Sequence, residues 1–267
     1  MKKSKISIIS ALLLFSMASG SITVAASDLS DELSLGQDEV VSSGVEEGGN
    51  DFEYEIGDII LADGSIVKET DLTAVDSSNT PIAIIAGFRE DGTAFGVGVH
   101  RSDIPLQWAA DASAGYAAKF TDTVCTQKSD QTFSGDKDGS DNWDAICSQD
   151  REAEENDEEN YPAFHFVNTY AESYDLAGDF ASGWYMPSIA ELCDIYQNRE
   201  AINNSLGHIY RLDDQAAMDG LDTNWYWSSS QADSEDDYAW FVHYFNGYAG
   251  ECPKNFTNVH ALAVRAF

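Results

Sequence analysis

Basic residues are scarce in this 267-residue chain. It has 14 Lys and Arg against 47 Asp and Glu, which gives a formal net charge of −33 at pH 7. Nucleic acids and anionic membranes are bound through lysine and arginine side chains that neutralise phosphates. The composition therefore argues against nucleic-acid binding and against binding at an anionic membrane surface, and it favours cations as partners.

Motifs that organise catalysis are also missing. The five histidines show neither HxH nor HExxH spacing, and the chain has no GxSxG elbow and no phosphate-binding glycine loop. His165 and His243 stand among aromatic residues, where a packed side chain is the expected role. Two carboxylates that meet only in the folded chain can still hydrolyse a glycosidic bond. An extracellular glycan hydrolase therefore stays open as an alternative.

A long apolar run is absent after the first residues. Residues 1–26 have a basic start, an apolar stretch and small residues ending at Ala26, which is the pattern of a secretory signal peptide. The apolar stretch is shorter than the ~20 residues that span a bilayer, so membrane insertion is not expected. Residues 27–51 are acidic and lack aromatic residues, which predicts a disordered acidic stalk. We expect a secreted protein, extracellular or on the cell surface, with the periplasm as an alternative.

The four cysteines show no CxxC spacing, which disfavours zinc and thioredoxin chemistry. An even number of cysteines in an exported chain indicates two disulfides, and four cysteines permit three pairings. We favour Cys125 with Cys147, which closes a local loop, and Cys193 with Cys252, which ties a helix to the C-terminal strands. Buried free thiols are the alternative.

Strand patterns dominate the beginning of the predicted single domain, residues 52–267. Within residues 52–120, β-rich runs flank turns at residues 62–64 and 90–92, where a glycine can take the positive φ that a hairpin needs. Residues 121–160 are polar and strongly acidic, which predicts a solvated loop region.

Residues 161–267 are predicted to contain two helices and then strands. Helical spacing begins after Pro162. Ser188 and Glu191 have the spacing of a capping box, and the apolar residues that follow fall on one helix face. The segments WYWSSSQ, AWFVHYFNG and HALAVRAF predict an antiparallel sheet. The fold class is therefore α+β.

Four segments in order carry a resemblance to a known family: GWYMPSIAEL (183–192), YWSSSQ (226–231), AWFVHYFNG (239–247) and VRAF (264–267). The series resembles the Lcl C-terminal domain family, formerly a domain of unknown function. The resemblance covers residues 161–267. It implies a C-type-lectin-like fold, related to formylglycine-generating enzymes, with antiparallel sheets and two main helices preceded by β-hairpins.

The resemblance also implies binding or adhesion outside the cytoplasm. An adhesin of the family binds sulfated glycans, but such polymers need a basic cleft, which this composition does not favour. The related formylglycine-generating enzymes use a pair of cysteines near the C-terminus, where this chain has Cys252 without a nearby partner. That activity is therefore not expected.

Candidate ligand contacts lie near the predicted strand ends. Alternation along AWFVHY places Trp240, Val242 and Tyr244 on one face of a strand and Phe241, His243 and Phe245 on the other, and one face must be core. Near strand ends and loops, a polar-edged ring can stack on a sugar while an amide bonds its hydroxyls. The candidate ligand-binding residues are Tyr238, Tyr244, Asn246, Tyr248 and Asn255.

Acidic clusters suggest that calcium could order a loop, although no cofactor is required. Calcium takes six to eight oxygen ligands, and closely spaced acids around a glycine turn can supply them. The first candidate group is Asp136, Asp138, Asp141 and Asp144. The second candidate group is Asp233, Glu235, Asp236 and Asp237. The alternative for the first group is a solvated acidic turn held by the predicted Cys125–Cys147 bridge.

Together these patterns predict an exported, non-enzymatic module that recognises a glycan or a protein through loops at residues 232–257. The glycan hydrolase with paired carboxylates is one alternative. The other alternative is an acidic structural protein of the cell surface, whose charge supplies solubility and repulsion.

Overall fold

Two β-sheets organise residues 54–267, the part of the chain that the computed structural model describes. These residues belong to the unit Asp51–Phe267. The predicted signal peptide and stalk lie outside the described residues. The described residues form an α+β fold, as the sequence predicts.

The strands alternate with turns and helices along the chain. They are β1 (Ile59–Leu61), β2 (Ile66–Val67), β3 (Pro81–Phe88), β4 (Ala94–Arg101), β5 (Val124–Ser129), β6 (Thr132–Gly135), β7 (Trp184–Tyr185), β8 (Trp225–Ala232), β9 (Tyr238–His243), β10 (Tyr248–Pro253) and β11 (Leu262–Ala266).

The first sheet has six strands in the order β2-β1-β3-β4-β11-β7, and every neighbouring pair is antiparallel. Both predicted hairpins are confirmed. Gly64 has φ of 85° in the β1–β2 turn and Gly92 has φ of 89° in the β3–β4 turn, so each turn uses the left-handed conformation that glycine adopts without strain. The sheet also takes β11, which pairs with β4 and β7.

The second sheet has five strands in the order β10-β9-β8-β5-β6. The segments WYWSSSQ and AWFVHYFNG form β8 and β9 and pair antiparallel, as predicted. The prediction that HALAVRAF joins them in an antiparallel sheet is wrong, because β11 completes the first sheet and His260 alone forms a parallel bridge to Tyr226 of β8. The solvated loop predicted for residues 121–160 is also wrong in part, since β5 and β6 form a hairpin there and β5 pairs parallel with β8.

The helices pack on the two sheets. They are α1 (Asn142–Gln149), α2 (Asp157–Asn160), α3 (Pro162–Asn168), α4 (Tyr170–Ser173), α5 (Ile189–Gln197) and α6 (Arg199–Leu212). The helix predicted after Pro162 is α3, with α4 as a short continuation. The capping box is confirmed at the start of α5, where the Ser188 hydroxyl accepts from the Glu191 N–H and the Glu191 carboxylate accepts from the Ser188 N–H.

Two hydrophobic clusters cover opposite faces of the strands. The first cluster includes Ile84 of β3 and the buried faces of α5 and α6, and the second includes Ile85 of β3 and packs against α1, α3 and α4. The alternation predicted for β9 is confirmed. Trp240 and Val242 belong to the first cluster and Phe241 belongs to the second. Both faces of the central strands are therefore core.

All four cysteines lie in the described part of the chain and are free thiols, so both predicted disulfides are wrong. Cys125 and Cys193 belong to the first hydrophobic cluster, whereas Cys147 and Cys252 pack against the second. Each predicted pair is thus divided between opposite faces of the strands. Spacing along the chain suggested the pairs, but the faces on which the side chains lie separate them.

Candidate ligand-binding surface

A group of aromatic side chains is exposed where β9 turns into β10. We call it the aromatic surface, and it consists of Trp225, His243, Phe245, Tyr248 and Phe256. Phe245 is 77% exposed, Tyr248 is 59% exposed and Phe256 is 38% exposed, while Trp225 and His243 are half-buried. Large apolar rings that gather on a surface usually mark a place where something binds.

The rings contact one another in a continuous series. The Trp225 ring stacks on buried Phe241 with centroids 4.8 Å apart and an angle of 3° between the planes. Its other neighbours are His243, at 5.0 Å, and Phe256, at 6.0 Å. Phe245 continues the series 6.0 Å from His243. The aromatic surface is therefore an extension of the second hydrophobic cluster out to the solvent.

Tyr248, the first residue of β10, joins this group through the Phe241 ring. Its ring lies 6.2 Å from Phe241, and its backbone pairs with His243 of β9. Gly250 is two residues further along the same face, and a Cβ at that position would collide with the Tyr248 ring. The absence of a side chain at Gly250 lets the Tyr248 ring lie along β10.

The polar edges of the aromatic surface are open. Within residues 54–267, neither the Trp225 indole N–H nor the Tyr248 hydroxyl makes a hydrogen bond. The side-chain oxygen of Asn246 accepts from the Tyr248 N–H at 3.1 Å, which leaves the Asn246 side-chain NH2 group facing solvent. Asn255, half-buried, adjoins Phe256. Ring faces, one indole donor, one hydroxyl and the Asn246 amide are thus available to a ligand.

The structure separates the other predicted ligand residues from this surface. Tyr244 is buried and its hydroxyl donates to the Leu192 carbonyl at 2.9 Å, so its prediction as a ligand contact is wrong and it is a core residue. Tyr238 lies at the opposite end of β9, where it pairs with Pro253, and it packs against the first cluster. Of the other three predicted residues, Tyr248 belongs to the aromatic surface, and Asn246 and Asn255 adjoin its residues in sequence.

Sequence reasoning did not include Trp225, Phe245 and Phe256 among the candidate ligand contacts. Strand alternation assigns a residue to a face but does not tell where the covering helices end. A usable signal was the charge pattern, because residues 238–250 contain no acidic or basic side chain other than His243 in a strongly acidic chain.

The acidic residue of β10, Glu251, faces away from the aromatic surface. Glu251 of β10 pairs with Trp240, so it lies on the opposite face of the strand from Tyr248. Its carboxylate accepts from the Ser234 hydroxyl at 2.6 Å. The Glu251 carboxylate therefore lies away from a ligand that stacks on Tyr248.

A buried lysine anchors the segment that follows β10. The Lys254 ammonium donates to the carbonyls of Gly115, Ala118 and Asp236 at 2.8–2.9 Å and lies 4.8 Å from the centre of the Trp108 ring. Burial lowers the pKa of Lys254 to about 7. By joining three loops, this side chain fixes the backbone that carries Asn255 and Phe256.

The first predicted calcium group does not converge. Asp136 accepts from the Asn142 side-chain NH2 at 2.9 Å and from the Asp138 N–H at 3.0 Å. One carboxylate oxygen of Asp138 accepts hydrogen bonds from the Arg89 guanidinium at 2.7 Å and from the Ser140 N–H at 2.9 Å. Among residues 54–267, no group of three or more His, Cys, Asp and Glu side chains is placed to hold a metal ion. The predicted ligand set of Asp136, Asp138, Asp141 and Asp144 is therefore not brought together.

The second acidic group faces a lysine. Lys119 lies 3.5 Å from Asp233 and 3.6 Å from Asp236, and its ammonium also donates to the Asp233 carbonyl at 3.2 Å. These pairs are largely exposed, so each contributes less than about 1 kcal/mol to stability. The two acids are partners of Lys119, and a role in calcium binding stays a prediction.

A buried carboxylate lies elsewhere, at the start of α5. One oxygen of Glu191 accepts from the N–H groups of Ser188 and Gly139 at 2.9 and 3.0 Å, and the other accepts from the Tyr185 hydroxyl at 2.7 Å. Burial raises the pKa of Glu191, and these hydrogen bonds oppose the rise. The carboxylate is fully engaged in holding the helix start, so it has no free position for a substrate.

No helix among the described residues is both long enough and apolar enough to cross a membrane. No family model matches the chain, and no curated protein matches it. The predicted likeness to the Lcl C-terminal domain family and to C-type lectins therefore stays a prediction.

One solved structure is similar in fold: a crystal structure of a fimbrial protein from Bacteroides ovatus ATCC 8483, with a TM-score of 0.54 and 15% sequence identity. The similarity covers 80% of this chain and 49% of the fimbrial protein, so it spans about half of that protein's length. At this identity the likeness concerns the fold alone.

Proposed function

We propose that this protein is a non-enzymatic recognition domain, secreted or held at the cell surface, that binds a glycan through the aromatic surface. The observation that carries the proposal is the open polar edge of that surface. Tyr248 and Trp225 present ring faces together with a hydroxyl and an N–H that no described residue satisfies. Sugars offer both an apolar C–H face and hydroxyls, so one sugar ring can use both features.

The charge distribution supports a neutral glycan. The aromatic surface carries neither a carboxylate nor a lysine or arginine among its defining residues, while the whole chain has a net charge of −33. A sulfated or otherwise anionic polymer would be repelled by the surrounding protein. A neutral sugar is not repelled, and it needs only rings and hydrogen-bonding groups.

The fold similarity to a fimbrial protein is compatible with a role at the cell surface. The engagement of Glu191 excludes this one carboxylate as the general acid of a glycan hydrolase, because a general acid must donate a proton to the glycosidic oxygen. The Glu191 carboxylate instead accepts three close hydrogen bonds from the protein. The aromatic surface is also a shallow exposed patch rather than a cleft between two carboxylates.

The test is a glycan array probed with the folded domain, followed by titration of the best ligands with Tyr248→Ala. We expect at least a tenfold loss of affinity with the unfolding midpoint unchanged, because the exposed ring contributes little to the core. Tyr210→Ala is the matched control, since Tyr210 is a 40% exposed tyrosine on α6. It should bind like the wild type.

Two results would refute the glycan proposal. One is a domain that binds no glycan but captures a protein ligand that Tyr248→Ala releases, which would assign the aromatic surface to protein recognition. The other is glycan binding that Tyr248→Ala leaves intact. Repeating the array with calcium and with a chelator decides whether calcium takes part.

A further inference from the structure

A cleft of about 490 Å³ lies beside α5, between the tips of the β3–β4 and β5–β6 hairpins. This volume falls within the range of about 300–1,000 Å³ that is typical of small-ligand sites. Its walls include three phenylalanines. Phe88 is 43% exposed, whereas Phe95 and Phe133 are buried beneath the surface. The cleft therefore offers a ring face to whatever enters it.

Charged groups line the rest of the cleft, and acids outnumber bases. The acidic residues are Glu90, Asp91, Asp138, Glu191 and Asp194, and the basic residues are Arg89 and Lys137. Both bases already have partners. Arg89 bonds Asp138 at 2.7 Å and lies 3.4 Å from Glu191, and Lys137 bonds Glu90 at 2.8 Å. An anionic ligand would have to compete with these carboxylates.

Asp194 is the exception among the half-buried acids of the cleft. Within the described part of the chain, its carboxylate accepts no hydrogen bond and lies in no ion pair within 4 Å. Burial raises the pKa of Asp194, and the charge of nearby Lys137 opposes the rise. A half-buried carboxylate without a partner is costly, and a cation placed beside it relieves that cost.

We propose that this cleft binds a primary ammonium on an apolar stem, with the ammonium at Asp194 and the stem against the Phe88 ring. Such a group is the side chain of a lysine on a partner protein or the end of a free alkyl diamine. Apolar stems of lysine pack on aromatic rings while the charged head seeks a carboxylate. The net charge of −33 would also attract a cation toward the protein. The proposal is independent of glycan binding by the aromatic surface.

The first experiment compares two probes that differ only in the ammonium: Nα-acetyl-lysine N-methylamide and Nα-acetyl-norleucine N-methylamide. Binding is measured by NMR titration of the folded domain in 150 mM salt, which suppresses unspecific attraction. We expect the lysine probe to bind at least tenfold more tightly than the norleucine probe. Equal affinities, or no binding of either probe, would overturn the proposal, as would preferential binding of propionate.

Variants then locate the site. Asp194→Asn should abolish the preference for the lysine probe, and Phe88→Ala should weaken both probes. Asp194→Asn should also leave the unfolding midpoint unchanged or higher, because it removes a half-buried carboxylate that, among the described residues, accepts no hydrogen bond and lies in no ion pair within 4 Å. Asp222→Asn is the matched control, since it removes the same charge at an exposed position outside the cleft. Equal losses in Asp194→Asn and Asp222→Asn would mean that only the overall charge attracts the probe.

Two further measurements distinguish a partner protein's lysine from a free amine, and the cleft from the aromatic surface. Tighter binding of a lysine-containing peptide than of 1,5-diaminopentane assigns the cleft to a partner protein, and the reverse order assigns it to a free amine. Tyr248→Ala should keep the ammonium site intact. Loss of ammonium binding in that variant would contradict the independence of the two sites.

Discussion

Aromatic side chains form two groups in this protein that differ in what their polar atoms do. The buried group, which we call the Trp108 cluster, consists of Trp108, Phe120, Tyr161 and Phe164. There the Trp108 indole N–H donates to the Ser228 carbonyl at 3.0 Å, and the Tyr161 hydroxyl donates to Asp150 at 2.7 Å. On the aromatic surface, no described residue accepts from the indole N–H or hydroxyl.

Whether the polar atoms of an aromatic group are hydrogen-bonded within the protein distinguishes a packed group from a candidate binding surface. Both groups contain tryptophan, tyrosine and phenylalanine at contact distances, so residue type and ring geometry do not distinguish them. A buried polar edge must be satisfied within the protein, because leaving it unpaired costs about 1–3 kcal/mol. An edge that is exposed and unsatisfied is free to bond a ligand. The predictions below test this contrast, beginning with the largest effect.

The largest effect is expected from Trp108→Ala. Removing this fully buried ring leaves a cavity and an unpaired Ser228 carbonyl, so the free energy of unfolding should fall by about 3–5 kcal/mol. Phe245→Ala, at the most exposed ring of the aromatic surface, should change it by less than about 0.5 kcal/mol. Urea unfolding of both variants measures the difference. Comparable losses would mean that the aromatic surface is part of the structural core.

The second prediction concerns Lys254, whose ammonium lies against the Trp108 ring. Lys254→Met leaves three carbonyls without their donor, and the free energy of unfolding should fall by about 1–3 kcal/mol at pH 7. An unfolded lysine has a pKa near 10.5, whereas burial lowers the pKa of Lys254 to about 7 in the fold.

The unfolded state therefore binds more protons than the folded state between pH 7 and pH 10.5. In that window, the stability of the wild type relative to Lys254→Met should rise as the pH rises. Below pH 7 the difference should be constant, because both states are then protonated. Urea unfolding at a series of pH values measures it, and a difference that stays flat up to pH 10 would show that the folded lysine keeps its usual pKa.

The third prediction moves one ring of the aromatic surface without removing it. In Gly250→Ala the new methyl group collides with the Tyr248 ring, so the ring must leave β10. We expect glycan affinity to fall roughly 2- to 10-fold, the range of an aromatic contact worth about 0.5–1.5 kcal/mol. Gly207→Ala in α6 is the control, and it should leave binding unchanged. Isothermal titration of both variants is the measurement, and unchanged binding in Gly250→Ala would mean that the position of the Tyr248 ring is not important.

The smallest effect is expected from reduction. Burial raises the pKa of Cys125 to about 11 and of Cys193 to about 12, so few thiolates form in the folded protein at pH 8. Ellman's reagent should react slowly with the folded protein and completely in denaturant, and dithiothreitol should not shift the unfolding midpoint. An unfolding midpoint that falls when dithiothreitol is added would show that the protein contains disulfides, as the sequence predicted.

The features that sequence predicted best are local ones. The capping box of α5 depends on Ser188 and Glu191, three residues apart, and the two hairpin turns depend on Gly64 and Gly92. The pairing of β5 with β8 joins residues more than 100 positions apart. Nothing in the polar sequence of β5 indicates that partner, because the pairing arises from backbone hydrogen bonds and from the space left beside β8.

The candidate site was predicted only in part, because local patterns identify residues near strand ends but not which of them are buried by other elements. Asn246, Tyr248 and Asn255 were predicted because they lie near strand ends and loops, and Tyr248 is exposed beside Asn246. Tyr244 was misassigned because its exposure depends on α5, whose Leu192 carbonyl accepts from its hydroxyl. Phe245, the next residue, is exposed because it follows the end of β9. Burial of neighbouring aromatic residues is therefore decided by tertiary packing rather than by composition.

The position of β11 has a consequence for how the chain reaches its folded state. β11 completes the sheet between β4 and β7, so any growing chain shorter than 262 residues lacks an inner strand of that sheet. Until β11 has been made, the edges of β4 and β7 that it will occupy stay unpaired, and unpaired strand edges promote aggregation. Closing this sheet also joins β4 to a strand about 160 residues further along the chain, and contacts between such distant segments form slowly.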